Sequence, residues 1–247
     1  MPSPFLTRAR AYAVHLLTAS GVVAAFLAVA ELFEDAPDER VVFAWLVVAV
    51  MIDAVDGPLA RAWDVKRLAP EINGRTIDDI VDYLTFTFIP LLLVWRMGWV
   101  PFAPGIAGAA WIVPALLASL LGFAHAGAKD EAAGYFRGFP SYWNIAAFYA
   151  GLAFHGLGEA GQWLNGAVLL ALAGLTLSPV RFLYPNLAPR PWKLPLMLGA
   201  AAWLVVLLAM LPVYRGVPGW VVAVSLIYPA FYAALSILID PRRDKPA

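Results

Sequence analysis

Four aspartates stand close together in stretches that are otherwise rich in apolar residues. Asp53 and Asp56 are three residues apart, and Asp78 and Asp82 are four residues apart. On α-helices both spacings place the two carboxylates on one face, so the two pairs can face each other, whereas Asp79 is rotated away from Asp78. Four converging carboxylates repel one another, and two nearby arginines are too few to neutralise them. Hard divalent cations suit such oxygen ligands, and a pair of these ions assists displacement at phosphorus.

The elements that must position these aspartates are membrane helices. The 247-residue chain is 62% hydrophobic and 14% charged, with a mean hydropathy of +0.75. This composition leaves too little polar surface for a soluble globule and predicts an all-α integral membrane protein. The sequence has no cysteine, so thiolate catalysis and disulfides are excluded. Residues 1–247 are expected to form a single membrane domain of about eight transmembrane helices, at roughly 11–33, 40–60, 77–95, 106–126, 141–157, 162–180, 194–213 and 217–239.

The basic residues predict how these helices are oriented. An even number of spans places both termini on one side of the membrane. Of the 17 basic residues, only Arg40, Arg96 and Arg215 fall at connections of the opposite side. The positive-inside rule therefore predicts that both termini are cytoplasmic. Asp53 then lies ~12 Å above the cytoplasmic end of the second helix, where an acidic side chain costs up to ~2.5–3.5 kcal/mol and needs a compensating partner.

The residues around the four aspartates resemble the signature of the CDP-alcohol phosphatidyltransferases, integral membrane enzymes of phospholipid synthesis. The pattern in this chain is Asp53-x2-Asp56-Gly57-x2-Ala60-Arg61-x12-Gly74-x3-Asp78-x3-Asp82. Most members of the family have a shorter spacing between the arginine and the second glycine. The longer spacing, the eight spans and the segment "GFPSYWN" at 138–144 are similar to the bacterial branch that transfers the phosphatidyl group of CDP-diacylglycerol directly to choline.

The resemblance implies a fold, ligands and roles for individual residues. The fold would be that of the CDP-alcohol phosphatidyltransferases in the bacterial inner membrane, with the active site at the cytoplasmic face. The implied partners are CDP-diacylglycerol, choline, membrane lipids and a second copy of the chain in a homodimer, with no nucleic acid. Two Mg²⁺ or Mn²⁺ ions would be bound by Asp53, Asp56, Asp78 and Asp82, and Asp82 would also be the catalytic base. CDP-diacylglycerol would contact Asp53, Gly57, Ala60, Arg61, Gly74 and Asp78.

The acceptor site is predicted from aromatic residues. A quaternary ammonium group cannot donate hydrogen bonds, so its selective binding normally uses aromatic faces. The candidate choline site follows the fourth predicted helix and consists of Tyr135, Phe139, Tyr142, Trp143 and Asn144. These aromatic residues are also typical of any membrane interface. Arg137 and Arg181 are candidates for phosphate binding, or they only anchor the predicted cytoplasmic connections.

Two alternatives remain open at this point. The same chemistry could use serine or another alcohol as the acceptor. A membrane transporter with an acidic ion site would belong to a different class, since acids inside a membrane also mark ion pathways. Such a transporter is expected to have internal repeats or broken helices, and neither is visible in the sequence. The chain's three histidines, His15, His125 and His155, do not cluster, and none of them is predicted to be a base.

Overall fold

Helices occupy all eight predicted segments in the part of the chain that the structure describes. The computed structural model describes residues 4–125, 127–130 and 133–240, so the basic residues Arg242, Arg243 and Lys245 lie outside it. The helices are α1 (Pro4–Leu32), α2 (Glu39–Ala62), α3 (Val65–Leu68), α4 (Gly74–Asp82), α5 (Ile89–Arg96), α6 (Ala109–Ala124), α7 (Trp143–Leu157), α8 (Glu159–Leu177), α9 (Lys193–Met210), α10 (Gly219–Ser225) and α11 (Ile227–Leu238).

The length and composition of these helices confirm an all-α integral membrane protein. Among the described residues, six helical segments are long and apolar enough to cross a membrane: 6–32, 39–62, 106–124, 159–177, 193–216 and 219–238. The two other predicted spans are also helical. One is the α4–α5 segment, which carries Asp78 and Asp82, and the other is α7, which has 15 residues. The total of eight spans and the cytoplasmic position of the termini stay predictions.

A π-helical turn, Tyr83–Phe88, joins α4 to α5 directly after Asp82. The backbone N–H of Ile89 donates to the carbonyl of Leu84, five residues earlier, instead of four as in an α-helix. Such turns are rare and occur frequently at functional sites. The apolar pattern predicts a helix at roughly 77–95, and the structure adds this turn within it.

A small antiparallel sheet, which was not predicted, joins two connections of the helical bundle. Its described strands are β1 (Lys129–Asp130), β2 (Tyr135–Arg137) and β3 (Arg181–Leu183), in that order. Phe136 pairs with Phe182, so the α6–α7 and α8–α9 connections lie at one end of the bundle, as the predicted topology requires. Gly138, with φ of +77°, follows β2, and a Cβ there would lie 2.1 Å from the Thr176 carbonyl oxygen. Only glycine fits this turn.

The opposite end of the bundle contains a buried ionic group. The Glu39 side chain, at the start of α2, is 0% exposed. Arg215 donates hydrogen bonds of 2.7 and 2.6 Å to its two carboxylate oxygens, and His155 Nε2 lies 3.2 Å away. We call these three residues the Glu39 network. Because they belong to α2, to the turn that follows α9 and to α7, the network ties three parts of the bundle together at this end.

Candidate active site

The last turns of α2 supply the first pair of aspartates. Asp56 is 5% exposed, and its Oδ2 atom has no hydrogen-bond partner among the described residues. Pro58 lies inside the helix and has no N–H, so it cannot donate to the carbonyl of Ala54 beside Asp53. The Arg61 guanidinium approaches Gly57, and its Nη1 atom lies 3.4 Å from the place of a Cβ at that glycine. The end of α2 therefore combines two carboxylates, a backbone carbonyl that lacks its helical hydrogen bond, and an arginine.

Helix α4 supplies the second pair. Its N-terminus is capped by Asn73, whose side-chain oxygen accepts a hydrogen bond of 3.3 Å from the backbone N–H of Thr76, as is typical of asparagine before a helix. Asp78 and Asp82 are one turn apart and share a face of α4. Asp79 points elsewhere and pairs with Arg75 at 3.7 Å. The helical spacing thus presents Asp78 and Asp82 together.

Three of the four predicted aspartates come together. Carboxylate oxygens of Asp53, Asp78 and Asp82 all lie within 4.8 Å of one another, and the three side chains are partly buried. We call this group the acid cluster. Oxygen ligands in a partly buried site are the donors that Mg²⁺ and Mn²⁺ prefer, so the residues fit a divalent cation. The fourth aspartate, Asp56, does not belong to the group; its carboxylate is buried one turn further along α2.

Tyr142, from the predicted choline site, lies beside the acid cluster. It is close enough to Asp53 and Asp82 for both charges to act on its phenol group, and its ring centroid is 6.4 Å from that of Phe86. The two neighbours of Tyr142 are anchored to α6, because Ser141 Oγ and Trp143 Nε1 hydrogen-bond to the Ser119 hydroxyl at 3.2 and 2.6 Å. Tyr142 is 36% exposed. The Tyr142 side chain therefore lies within electrostatic range of two carboxylates of the acid cluster.

The other predicted choline residues have different surroundings. Tyr135 is buried and donates a hydrogen bond of 3.0 Å to the Ile239 carbonyl, and Arg181 lies 4.4 Å over its ring. That ring face already holds a cation. Trp143 is fully buried against Phe139, with ring centroids 5.4 Å apart. The side-chain oxygen of Asn144 accepts a hydrogen bond from the backbone N–H of the next residue. Of the five residues, Tyr142 is the one for which the structure gives proximity to the acid cluster.

The two candidate phosphate ligands also differ. Arg181 is 7% exposed and forms ion pairs with Asp240 and Asp130. The hydrogen bond to Asp240 raises the pKa of the Arg181 guanidinium. Arg181 therefore connects the sheet to the end of α11. Its Nη1 atom has no hydrogen-bond partner among the described residues, and phosphate binding by Arg181 stays a prediction. Arg137 is exposed, with Nη1 3.3 Å from His125 Nε2, and its role in phosphate binding stays a prediction.

Two tyrosines near Tyr142 were missed in the sequence. Tyr228 and Tyr232 belong to α11; Tyr228 acts electrostatically on the phenol group of Tyr142, and Tyr142 acts on that of Tyr232. Tyr228 donates a hydrogen bond of 2.9 Å to the Leu196 carbonyl, and its ring centroid is 5.5 Å from that of Trp203. Their spacing of four residues places both tyrosines on one helix face. This spacing is visible in the sequence, but nothing in the sequence relates it to the aspartates.

Comparison with known proteins identifies the family. No protein-family model matches the chain. It is, however, 37% identical over 180 residues to the phosphatidylcholine synthase of Pseudomonas aeruginosa. The aligned region covers 73% of this chain and 71% of the relative. The chain belongs to the phosphatidylcholine synthase family. The phosphatidylcholine synthase of Rhizobium johnstonii is 30% identical over 234 residues, 94% of this chain and 90% of the relative. That of Mesorhizobium japonicum is 36% identical over 180 residues, but only 62% of its length is covered.

Membership of the phosphatidylcholine synthase family confirms the resemblance that the spacing of the aspartates suggested. Phosphatidylcholine synthases are phosphatidyltransferases, so the predicted enzyme class is also confirmed. This result favours an enzyme over the transporter alternative. The chemistry of this member of the family therefore has to be explained from the acid cluster and Tyr142.

Proposed function

We propose that the protein transfers the phosphatidyl group of CDP-diacylglycerol to choline, which forms phosphatidylcholine and releases CMP. The observation that carries this proposal is the acid cluster with Tyr142 beside it. Carboxylates that can hold divalent cations suit a diphosphate, and an aromatic ring next to negative charge suits a quaternary ammonium group. The relatives named above support the choice of choline over other alcohols.

The donor set supports Mg²⁺ or Mn²⁺ as the cofactor. Asp53, Asp78 and Asp82 would hold the ion, and the buried Asp56, whose Oδ2 has no partner among the described residues, is a further candidate ligand. A bound divalent cation would neutralise charge on the diphosphate and stabilise the phosphate of the departing CMP. The choice between the two metals and the presence of two ions stay predictions.

Asp82 is the proposed base. It takes the proton from the choline hydroxyl, and the choline oxygen attacks the phosphorus that carries diacylglycerol. A bond forms between that oxygen and the phosphorus, while the bond from the phosphorus to the bridging oxygen breaks and CMP leaves with the electron pair. A carboxylate that takes a proton in this way acts as a general base and must lie within reach of the hydroxyl.

The remaining contacts of the substrate follow from its shape. Arg61 covers Gly57 at the end of α2, where a guanidinium can donate to phosphate oxygens. Ala60, in the same turn, and Gly74 are the other proposed contacts of the nucleotide.

We place this end of the bundle at the cytoplasmic face of the bacterial inner membrane, with the acyl chains in the bilayer. The site must then open sideways to lipid as well as to water. The homodimer stays a prediction.

Tyr142 is proposed to bind the choline ammonium through its ring. Replacing Tyr142 by Ala is expected to raise the KM for choline about fivefold, because a cation–π contact on a partly exposed ring contributes ~1 kcal/mol. Tyr142→Phe keeps the ring and should change this KM little. Steady-state kinetics with choline varied at saturating CDP-diacylglycerol measures the effect. An unchanged choline KM in Tyr142→Ala would contradict this assignment.

The acceptor is tested directly with the purified protein. It is incubated with CDP-diacylglycerol and Mn²⁺ and, separately, with choline, serine, glycerol 3-phosphate or inositol phosphate, and both lipid and CMP are identified. We expect phosphatidylcholine and an equal amount of CMP with choline, and no lipid product when EDTA removes the metal. Lipid formation with serine but not with choline would replace the proposed acceptor while leaving the phosphatidyltransferase class intact.

A further inference from the structure

His15 is a buried polar residue on α1, a helix to which no part of the proposed site has been assigned. The side chain is only 7% exposed, and its Nε2 atom has no hydrogen-bond partner among the described residues. Buried imidazole nitrogens normally have partners, because a buried polar atom without one has lost its hydrogen bonds to water. A ligand that supplies the missing partner would remove this cost.

The imidazole lies against the first residue of α4. A Cβ at Gly74 would lie 2.8 Å from His15 Cε1 and 3.0 Å from His15 Nδ1, and α1 packs along α4. The absence of a side chain at Gly74 therefore lets the imidazole approach the α4 backbone. Since Cε1 is bonded to both ring nitrogens, the unpartnered Nε2 is also close to this position.

The place of Gly74 on α4 relates His15 to the substrate. Gly74 and Asp78 are four residues apart and share a face, so the imidazole lies about one turn, ~5–6 Å along the helix, from the acid cluster. In the proposed orientation, the direction from Asp78 to Gly74 along α4 leads away from the bilayer. If the diphosphate is bound at the acid cluster and the acyl chains extend into the bilayer, the nucleoside extends in the direction of Gly74 and His15.

We infer that His15 binds the nucleoside of CDP-diacylglycerol through a hydrogen bond between Nε2 and a polar atom of the ribose or cytosine. This inference rests on the proposed function and adds α1 to the site. His15 is here a binding residue and not a base, in agreement with its position beyond the carboxylates. The same contact would be made by CMP, which carries the nucleoside but no lipid.

The inference is tested by CMP binding, measured by calorimetry on the purified protein in Mn²⁺, with pyrophosphate as a ligand that lacks the nucleoside. His15→Leu is expected to weaken CMP binding about tenfold, the size of one lost hydrogen bond to a buried partner, and to leave pyrophosphate binding unchanged. His15→Gln keeps a polar group and should stay within about threefold of the parent. Thr18→Val is the matched control, because Thr18 is also buried on α1 but bonds within its own helix, to the Val14 carbonyl.

Three calorimetric outcomes would overturn the inference: wild-type CMP affinity in His15→Leu, an equal loss of CMP and pyrophosphate binding, or an equal loss in the Leu and Gln variants. A measurement on the parent protein avoids any folding defect. With labelled histidine, the NMR signal of His15, identified by its absence in His15→Gln, should shift on addition of CMP but not of pyrophosphate, and an unshifted signal would also overturn the inference. Choline turnover is measured separately, so a wrong acceptor and a wrong role for His15 give different results.

Discussion

Replacing Asp82 by Asn is expected to lower turnover about a thousandfold while CDP-diacylglycerol still binds. The amide cannot accept the proton of the choline hydroxyl, and the loss of a positioned general base typically costs 10²–10⁴-fold. Asp53 and Asp78 remain to hold a divalent cation near the diphosphate, so substrate binding depends less on Asp82 than the chemical step does. The measurements are kcat with choline and the affinity for CDP-diacylglycerol.

Asp79→Asn is the matched control for this prediction. It makes the same chemical change on the same helix, but Asp79 pairs with Arg75 and does not belong to the acid cluster. We expect its kcat to stay close to that of the parent protein. Near-normal turnover in Asp82→Asn, or an equal loss in both variants, would contradict the proposed base.

Replacing Arg215 by Gln is expected to destabilise the folded protein by about 3 kcal/mol. The change leaves the fully buried Glu39 carboxylate without the guanidinium that binds both of its oxygens. Breaking a buried ion pair from one side costs roughly 3–5 kcal/mol, and the lower end applies because the Arg215 side chain is 59% exposed. Thermal unfolding in detergent, compared at a fixed pH, measures the loss.

The double variant Glu39→Gln/Arg215→Gln distinguishes two effects: the loss of the ion pair, and the cost of a buried Glu39 carboxylate that has lost its arginine. Because it removes the buried carboxylate, it should be more stable than Arg215→Gln alone. Arg40→Gln is the control at the same end of the bundle, since Arg40 pairs with Asp38 in an exposed position, and we expect a clearly smaller effect. An Arg215→Gln variant as stable as the parent would show that Glu39 does not depend on this partner.

The acid cluster could be predicted from the sequence because it depends mainly on spacings between residues that are close along the chain. Asp78 and Asp82 needed only the repeat of an α-helix to share a face, and the apolar runs around them identified the helices that carry them. Asp53 was placed opposite by the same reasoning, and all three carboxylates converge. Asp56 lies outside this group, because helical spacing gives the side of a helix but not whether a carboxylate points into the cluster or into the packing beside it, and its role as a metal ligand stays a prediction.

Contacts between distant segments could not be predicted in the same way. Strands of two and three residues are too short to have a recognisable repeat, so the pairing of Tyr135–Arg137 with Arg181–Leu183 left no periodic signal. Tyr228 and Tyr142 belong to segments far apart along the chain, and no repeat in the sequence links them, although they interact in the structure. A lone histidine on an apolar helix, such as His15, is more often core than ligand, and only its unpartnered nitrogen in the structure distinguishes it.

The π-helical turn at Tyr83–Phe88 sets a rotational offset between the faces of α4 and α5. One extra residue in a turn rotates everything that follows by about 100° relative to an uninterrupted α-helix. The face of α4 that carries Asp78 and Asp82 is thereby rotated relative to the face of α5 that packs Leu91, Leu93 and Val94 into the core. Removal of one residue from the turn would rotate the aspartates by about 100° relative to the face of α5 that packs into the core.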